Sequence, residues 1–247
     1  MGSNDKKNQS TGSPGLDRYL AAAELSPESV PHRAVTEAFL RKNLENYRAA
    51  ARGLVADLAA AGFEVFGARD LLRTGAYPSE LVPILVRWMG LVKYDALKED
   101  IVRTLAVPWA RAAAPALIAE FETAALEAGS ELGWAIGSSL EVLAHDAIAE
   151  DLIRLATDRR YGDSRQMVVR GLGKLKKHPR VIDVLIELLA DKDVYGYALV
   201  TLGKLRAKAA RPHIEPFLQH ENRDVRAGAK QALARIDKPR RTKNVEP

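Results

Sequence analysis

"DSRQMVVRGLGKLKKHPRVIDVLIELLAD" spans residues 163–191, and "DVYGYALVTLGKLRAKAARPHIEPFLQH" follows at residues 193–220. Both contain Leu-Gly-Lys-Leu, at Leu172–Leu175 and again at Leu202–Leu205. A catalytic motif has no reason to recur at a fixed interval, whereas a packing motif does whenever one structural unit is stacked on another. The two stretches therefore predict a helical repeat rather than a reaction centre.

Placing one leucine of each first helix in register extends the repeat through Leu105, Leu140, Leu172, Leu202 and Leu233. These lie about 30 to 35 residues apart, an interval that suits a helix-turn-helix unit and is too long for a heptad. Asp163, Asp193 and Asp224 stand at matching places ahead of the last three leucines and are expected to cap their helices by accepting backbone N–H bonds. The second helices begin near proline in several repeats, where a missing N–H is tolerated. A single pair is too small to bury its apolar face, so the cooperative unit is the array.

Outward from the repeats, residues 34–61 read as a long helix ended by Gly62, with Phe39, Leu40, Leu44, Tyr47, Leu54, Val55 and Leu58 on one face. The stretch "FEVFGARDLLRTGAYP", with Gly67, Gly75 and Pro78, reads as a connector holding a short strand or helical turn. Residues 1–15 and 238–247 read as polar tails, the second one basic. The expected organisation is a tail over 1–15, an N-terminal helical cap and connector over 16–78, a repeat array over 79–237, and a basic tail over 238–247. The cap would cover an otherwise exposed end of the array and leave the protein a monomer.

With 47% apolar residues the chain can bury a continuous core. It has no cysteine, which excludes disulfides and zinc thiolate sites, and no apolar run of membrane-spanning length. The polar start lacks the apolar segment of a secretory signal, so a cytoplasmic location is expected. A net charge of +5 and a pI of about 9.4 admit an acidic partner, but the placement of the charges matters more than their total.

The stretches "DVRAGAKQALARI" (224–236), "MVVRGLGKL" (167–175) and "VLIELLADKD" (184–193) resemble the short HEAT repeats of phycobilisome lyases. In those repeats Asp precedes Val-Arg, a small-residue stretch, Leu-Gly, and a second helix ending Leu-Leu-x-Asp. The resemblance covers roughly residues 80–236 and departs at Tyr195, where the pattern has Arg, and in the two earliest repeats, which lack the Asp start. It implies an all-α fold: a right-handed α-solenoid, or superhelix, of about five helical hairpins. On function the motif is silent, because such solenoids serve scaffolds, adaptors, lyases, hydroxylases and DNA-repair enzymes.

Tests for chemistry come out negative. His32, His145, His178, His213 and His220 are scattered, no H-E-x-x-H occurs, and a di-iron hydroxylase of this architecture would need several His-Glu pairs where the chain has one, His220-Glu221. Ser138 and Ser139 lie about two turns from His145, too far along one helix to meet it. The Gly171 and Gly173 pair belongs to the repeat and not to a phosphate loop. No catalytic residue, metal or cofactor is expected.

Charge placement then separates the binding readings. Second helices, which usually line the concave face of such solenoids, carry an excess of carboxylates. The first helices of the last three repeats carry an excess of lysine and arginine. HEAT-type alkylpurine DNA glycosylases, which resemble this chain in length and basicity, grip DNA with Trp and Asp side chains in a concave basic cleft; here duplex DNA would meet repulsion on that face. The leading expectation is a non-catalytic scaffold or adaptor that binds a partner protein with a basic surface. Its contacts would be Glu120, Glu150, Asp151, Arg154, Asp183, Glu187, His213 and Glu215, with Trp88 as an aromatic anchor. Nucleic-acid binding by the basic side or tail, and a bilin-lyase-like role, stand as alternatives.

Overall fold

The computed structural model describes residues 30–73, 77–127 and 129–238, with side chains from Phe39 onward. The tails expected over 1–15 and 238–247 lie outside the described residues except for Lys238. The fold is all-α, with twelve α-helices and no strand among the described residues. Contacts divide the chain into two compact units, Met1–Ala49 and Ala50–Pro247. The boundary falls inside α1 (Val30–Ala60).

In the first unit Leu40, Leu44 and Tyr47 are half-buried and Phe39 is 63% exposed. In the second, the last turns of α1 bury Ala51, Leu54 and Leu58 completely or nearly so. The helix ends where Gly62 turns to φ 89°, which lets the Phe63 N–H donate to Leu58 O at 2.9 Å. That left-handed turn is the reason a glycine stands there. The connector holds one helical turn, α2 (Asp70–Arg73).

Helices then alternate: α3 (Val82–Leu91), α4 (Asp95–Thr104), α5 (Ala114–Ala124), α6 (Glu131–Leu143), α7 (Ala149–Thr157), α8 (Gln166–Leu172), α9 (Val181–Glu187), α10 (Tyr195–Leu205), α11 (Arg211–Ile214) and α12 (Arg223–Asp237). One series packs in sequence, α4 on α6, α6 on α8, α8 on α10 and α10 on α12. The other series, α3, α5, α7, α9 and α11, packs each member on the helix that follows it. Pro83, Pro115 and Pro212 sit in the first turns of α3, α5 and α11, as the sequence led us to expect. Short 3-10 turns, such as Arg111–Ala113 and Asp146–Ile148, lead into several members of this second series.

The register leucines Leu105, Leu140, Leu172 and Leu202 are fully buried, and Leu233 is 7% exposed. The glycines of the repeat set the spacing of the first series. A Cβ on Gly203 would lie 2.7 Å from Ala232 Cα across the α10–α12 contact, and one on Gly171 would lie 3.3 Å from Glu141 Cα across α8–α6. At Gly203 only a residue without a side chain lets the backbones come so close, and at Gly171 an added carbon would press on its neighbour. Ser139 adds a bond between layers, its buried hydroxyl donating to Val102 O at 2.9 Å and to Ala135 O at 3.1 Å.

Capping differs from expectation. α12 is capped by Asn222, whose Oδ1 accepts from the Asp224 N–H at 2.8 Å, so Asp224 lies inside the first turn rather than ahead of it. α6 is capped by Ser130, which accepts from Gly133 N at 3.0 Å. Asp163 is exposed within the 3-10 segment Arg159–Arg165, and the turn before α10 is closed by Asp191, which accepts from the Asp193 N–H at 3.1 Å. The repeating Asp marks the turn without being its cap.

Candidate functional site

Two charged regions present themselves on the second unit, the exposed stripe of α5, α7, α9 and α11 and the edge formed by the turns after α8 and α10 and the end of α12. On the stripe, helix geometry brings Glu150 and Arg154 to one side of α7, and Asp183 and Glu187 to one side of α9, each pair one turn apart. The structure brings most of the expected contact residues into ion pairs with the protein itself. Glu120 is bonded to Lys98 of α4, with both side chains four-fifths buried or more. Arg154 is bonded to Glu122 of α5 and holds Asp151 at 3.2 Å. Glu150 receives Arg180 at 2.8 Å, and His178 Nε2 lies 3.2 Å from its other oxygen. Glu215 is held by Arg211 at 3.1 Å.

Trp88 is equally occupied. Its indole N–H donates to Asp57 Oδ2 at 2.5 Å, and its ring lies against Gly53, where a Cβ would meet the six-membered ring at 2.1 Å. Arg87 also reaches Asp57. Trp109 and Trp134, at 42% and 40%, are the tryptophans among the exposed large apolar residues, and Trp109 meets Tyr77 edge-on at 5.9 Å. Of the expected contacts, Asp183, Glu187 and His213 remain exposed with no ion pair among the described residues.

A buried charge cluster escaped the sequence reading. Arg165 is fully buried and donates to Gly162 O at 2.8 Å, Ala156 O at 3.0 Å and Asp191 Oδ2 at 3.0 Å; Asp193 lies 3.6 Å from its second nitrogen. Burial alone would raise the Asp191 carboxyl. The Arg165 hydrogen bond, the Asp193 N–H and the charges of Arg165 and Arg159 outweigh it, and the carboxyl lies below its ordinary value. By residue type both groups pass for surface charges, and their partnership across 26 residues leaves no local signal.

At the turn edge cations predominate. A groove of about 760 Å³ is lined by Lys176, Lys204, Arg206, Lys208 and Lys238, with His178 and Asp237, over the edges of the buried Leu175, Val181 and Ile236. Asp237, the carboxylate on this lining, is bonded to Arg211. Arg206 takes left-handed angles, φ 53° and ψ 44°, at the end of α10, and donates to Lys238 O at 3.2 Å. Lys174 sits close by and donates to Val142 O at 2.8 Å, with burial lowering its ammonium from the ordinary value against the pull of Glu141.

The Ser138 hydroxyl and the His145 imidazole are both occupied by backbone carbonyls. Ser138 donates to Trp134 O at 3.0 Å, and His145 Nδ1 lies 2.8 Å from Leu143 O. Among the described residues, no three His, Cys, Asp or Glu gather as a metal site, and no helix is long and apolar enough to cross a membrane. No protein-family model matches the chain, and no curated protein matches it.

Proposed function

We propose that the chain is a non-catalytic scaffold, a right-handed α-solenoid of HEAT-like hairpins, that binds a basic segment of a partner protein through the exposed stripe of α9 and α11. The observation that carries this reading is the contrast along the stripe. Carboxylates on α5 and α7 are tied to cations of the protein, whereas Asp183 and Glu187 face solvent one turn apart with no counter-ion among the described residues. Like charges at this spacing repel each other by a few tenths of a kcal/mol, roughly 0.2–0.5, so a cationic segment laid across α9 gains what the isolated helix lacks. His213 on α11 is exposed on the adjoining helix of the same series. The protein is proposed to act as a cytoplasmic monomer.

The site is smaller than a whole acidic face. Its contribution is to specificity and association rate more than to affinity. The test is capture of partners from nuclease-treated native lysate at low and moderate salt, comparing the natural chain with Asp183→Lys/Glu187→Lys. A protein captured by the natural chain, released by salt and lost from the double variant supports the reading. Capture that survives the double reversal with the helical content unchanged refutes it.

A further inference from the structure

We infer that the turn edge formed by the ends of α8, α10 and α12 is a binding site for the phosphodiester backbone of a nucleic acid, contacted through charge and without base readout. It lies on a different feature from the stripe of α9 and α11 and requires a partner of opposite sign.

Four observations converge on it. Lys176, Lys204, Lys208 and Lys238 are all exposed and line one groove, and none makes an ion pair among the described residues. Lys176, Lys208 and Lys238 recur at about the interval of the repeat, so each of the last three layers contributes a cation. Packed helices lie about 8–10 Å apart, which makes three layers a row of roughly 20 Å. A duplex carries about one negative charge per 1.7 Å of its axis and can satisfy the whole row at once.

The cations exceed what the fold requires. The negative end of a helix amounts to about half a charge. The end of α8 alone is followed by Lys174, Lys176 and Lys177, and that of α10 is flanked by Lys204, Arg206 and Lys208. Arg206 takes a left-handed conformation at the end of α10, lines the groove and donates to Lys238 O there, so it joins two of the cationic turns. Finally, no Phe, Tyr or Trp lines the groove, and its one ring, His178, is held by Glu150, which favours backbone contact over base stacking. Beyond Lys238 the sequence continues Pro239, Arg240, Arg241, Thr242, Lys243.

The full chain is titrated into a fluorescein-labelled 20-base-pair DNA duplex, and into an RNA duplex of the same sequence, followed by anisotropy from about 50 to 200 mM KCl. With about four phosphates neutralised, the logarithm of the association constant should fall with that of salt at a slope near −3.6, roughly a hundredfold over this range. Binding of either duplex supports the inference, and the tighter one names the source. Shuffling the sequence should change affinity less than about twofold. Lys176→Gln/Lys204→Gln/Lys208→Gln/Lys238→Gln should weaken binding at least tenfold and flatten the slope, with circular dichroism unchanged. Arg206→Gly should also weaken it, because it removes one of the cations that line the groove.

The inference is overturned if the quadruple variant binds as the natural chain does. It is equally overturned if Arg240→Gln/Arg241→Gln/Lys243→Gln alone abolishes binding, or if polyglutamate of matched charge displaces the duplex as well as unlabelled duplex does, which would assign the edge to an acidic protein. Asp183→Lys/Glu187→Lys should leave duplex binding intact or tighten it, so failure here is separable from failure of the proposed protein-binding stripe.

Discussion

The stripe of α5, α7 and α9 and the turn edge of α8, α10 and α12 are both rich in charge, and they use it in opposite ways. On the stripe, sign alternates between neighbouring helices, so Glu122 meets Arg154 and Glu150 meets Arg180 roughly one repeat on. At the turn edge the same sign recurs in the last three layers, where Lys176, Lys208 and Lys238 share one groove with Lys204 and Arg206. In a stacked repeat, the meaning of a charge is set by the residue one repeat away. The net charge of a helix is therefore a poor guide to the surface it presents, because cations from the other series, such as Lys98, neutralise carboxylates that a helix-by-helix count leaves bare.

The largest effect should come from the most deeply buried ion pair, Arg165 with Asp191. Arg165→Met removes a fully buried guanidinium and leaves Asp191, 5% exposed, with Arg159 as its remaining cation, so stability should drop by about 3–5 kcal/mol in urea unfolding. A loss below about 1 kcal/mol would mean the pair is replaceable by packing. The same pair sets an acid dependence. Because the Asp191 carboxyl is held below its ordinary value, its contribution is fully present above about pH 4 and is lost as pH falls through the depressed value. Urea midpoints measured from pH 6 to 3 should fall more steeply for the natural chain than for Asp191→Asn.

Next comes the backbone approach that brings the ends of α10 and α12 to the same edge. Gly203→Ala would put a Cβ 2.7 Å from Ala232 Cα, a clash with backbone that should cost about 1–3 kcal/mol. Gly228→Ala, in α12 with nothing within 4 Å of the added carbon, should instead stabilise by roughly 0.5–1 kcal/mol. Opposite signs in thermal unfolding would show that spacing between first-series helices, and not glycine content, is what the repeat specifies. Two losses of equal size would show that it is not.

What the sequence revealed follows from the range of the interactions involved. The Leu-Gly-Lys-Leu recurrence located buried leucines and close-approach glycines because packing between repeats imposes its period on the chain. The Asp at the start of each of the last three repeats was visible, but its role was not, since one or two residues of turn decide whether Asn222 or Asp224 caps α12. Trp88 and Glu120 read as contacts for a partner protein, and the bonds they make to Asp57 and Lys98, 31 and 22 residues away, join helices whose adjacency only the fold supplies. Arg165 was hidden for the same reason. The basic edge was half visible, as an excess of lysine in the first helices, while the groove required the turns to be brought together.

The smallest effects test the comparison most directly, since they separate paired from unpaired charge where nothing else changes. Glu150→Lys sets a cation beside Arg180 and His178 on a side chain 63% exposed, and should destabilise by less than about 1 kcal/mol; adding Arg180→Glu should recover most of that loss. Asp183→Lys has no partner to lose and removes a repulsion with Glu187 one turn on, so stability should stay level or rise by a few tenths, roughly 0.2–0.5 kcal/mol. A cost for Asp183→Lys as large as that for Glu150→Lys would mean that α9 is bound into the same network as α7. With no coupling between Glu150 and Arg180 in the double variant, the cross-helix pairs would contribute nothing to the array, and the carboxylates of α5 and α7 would be as open to a partner as those of α9.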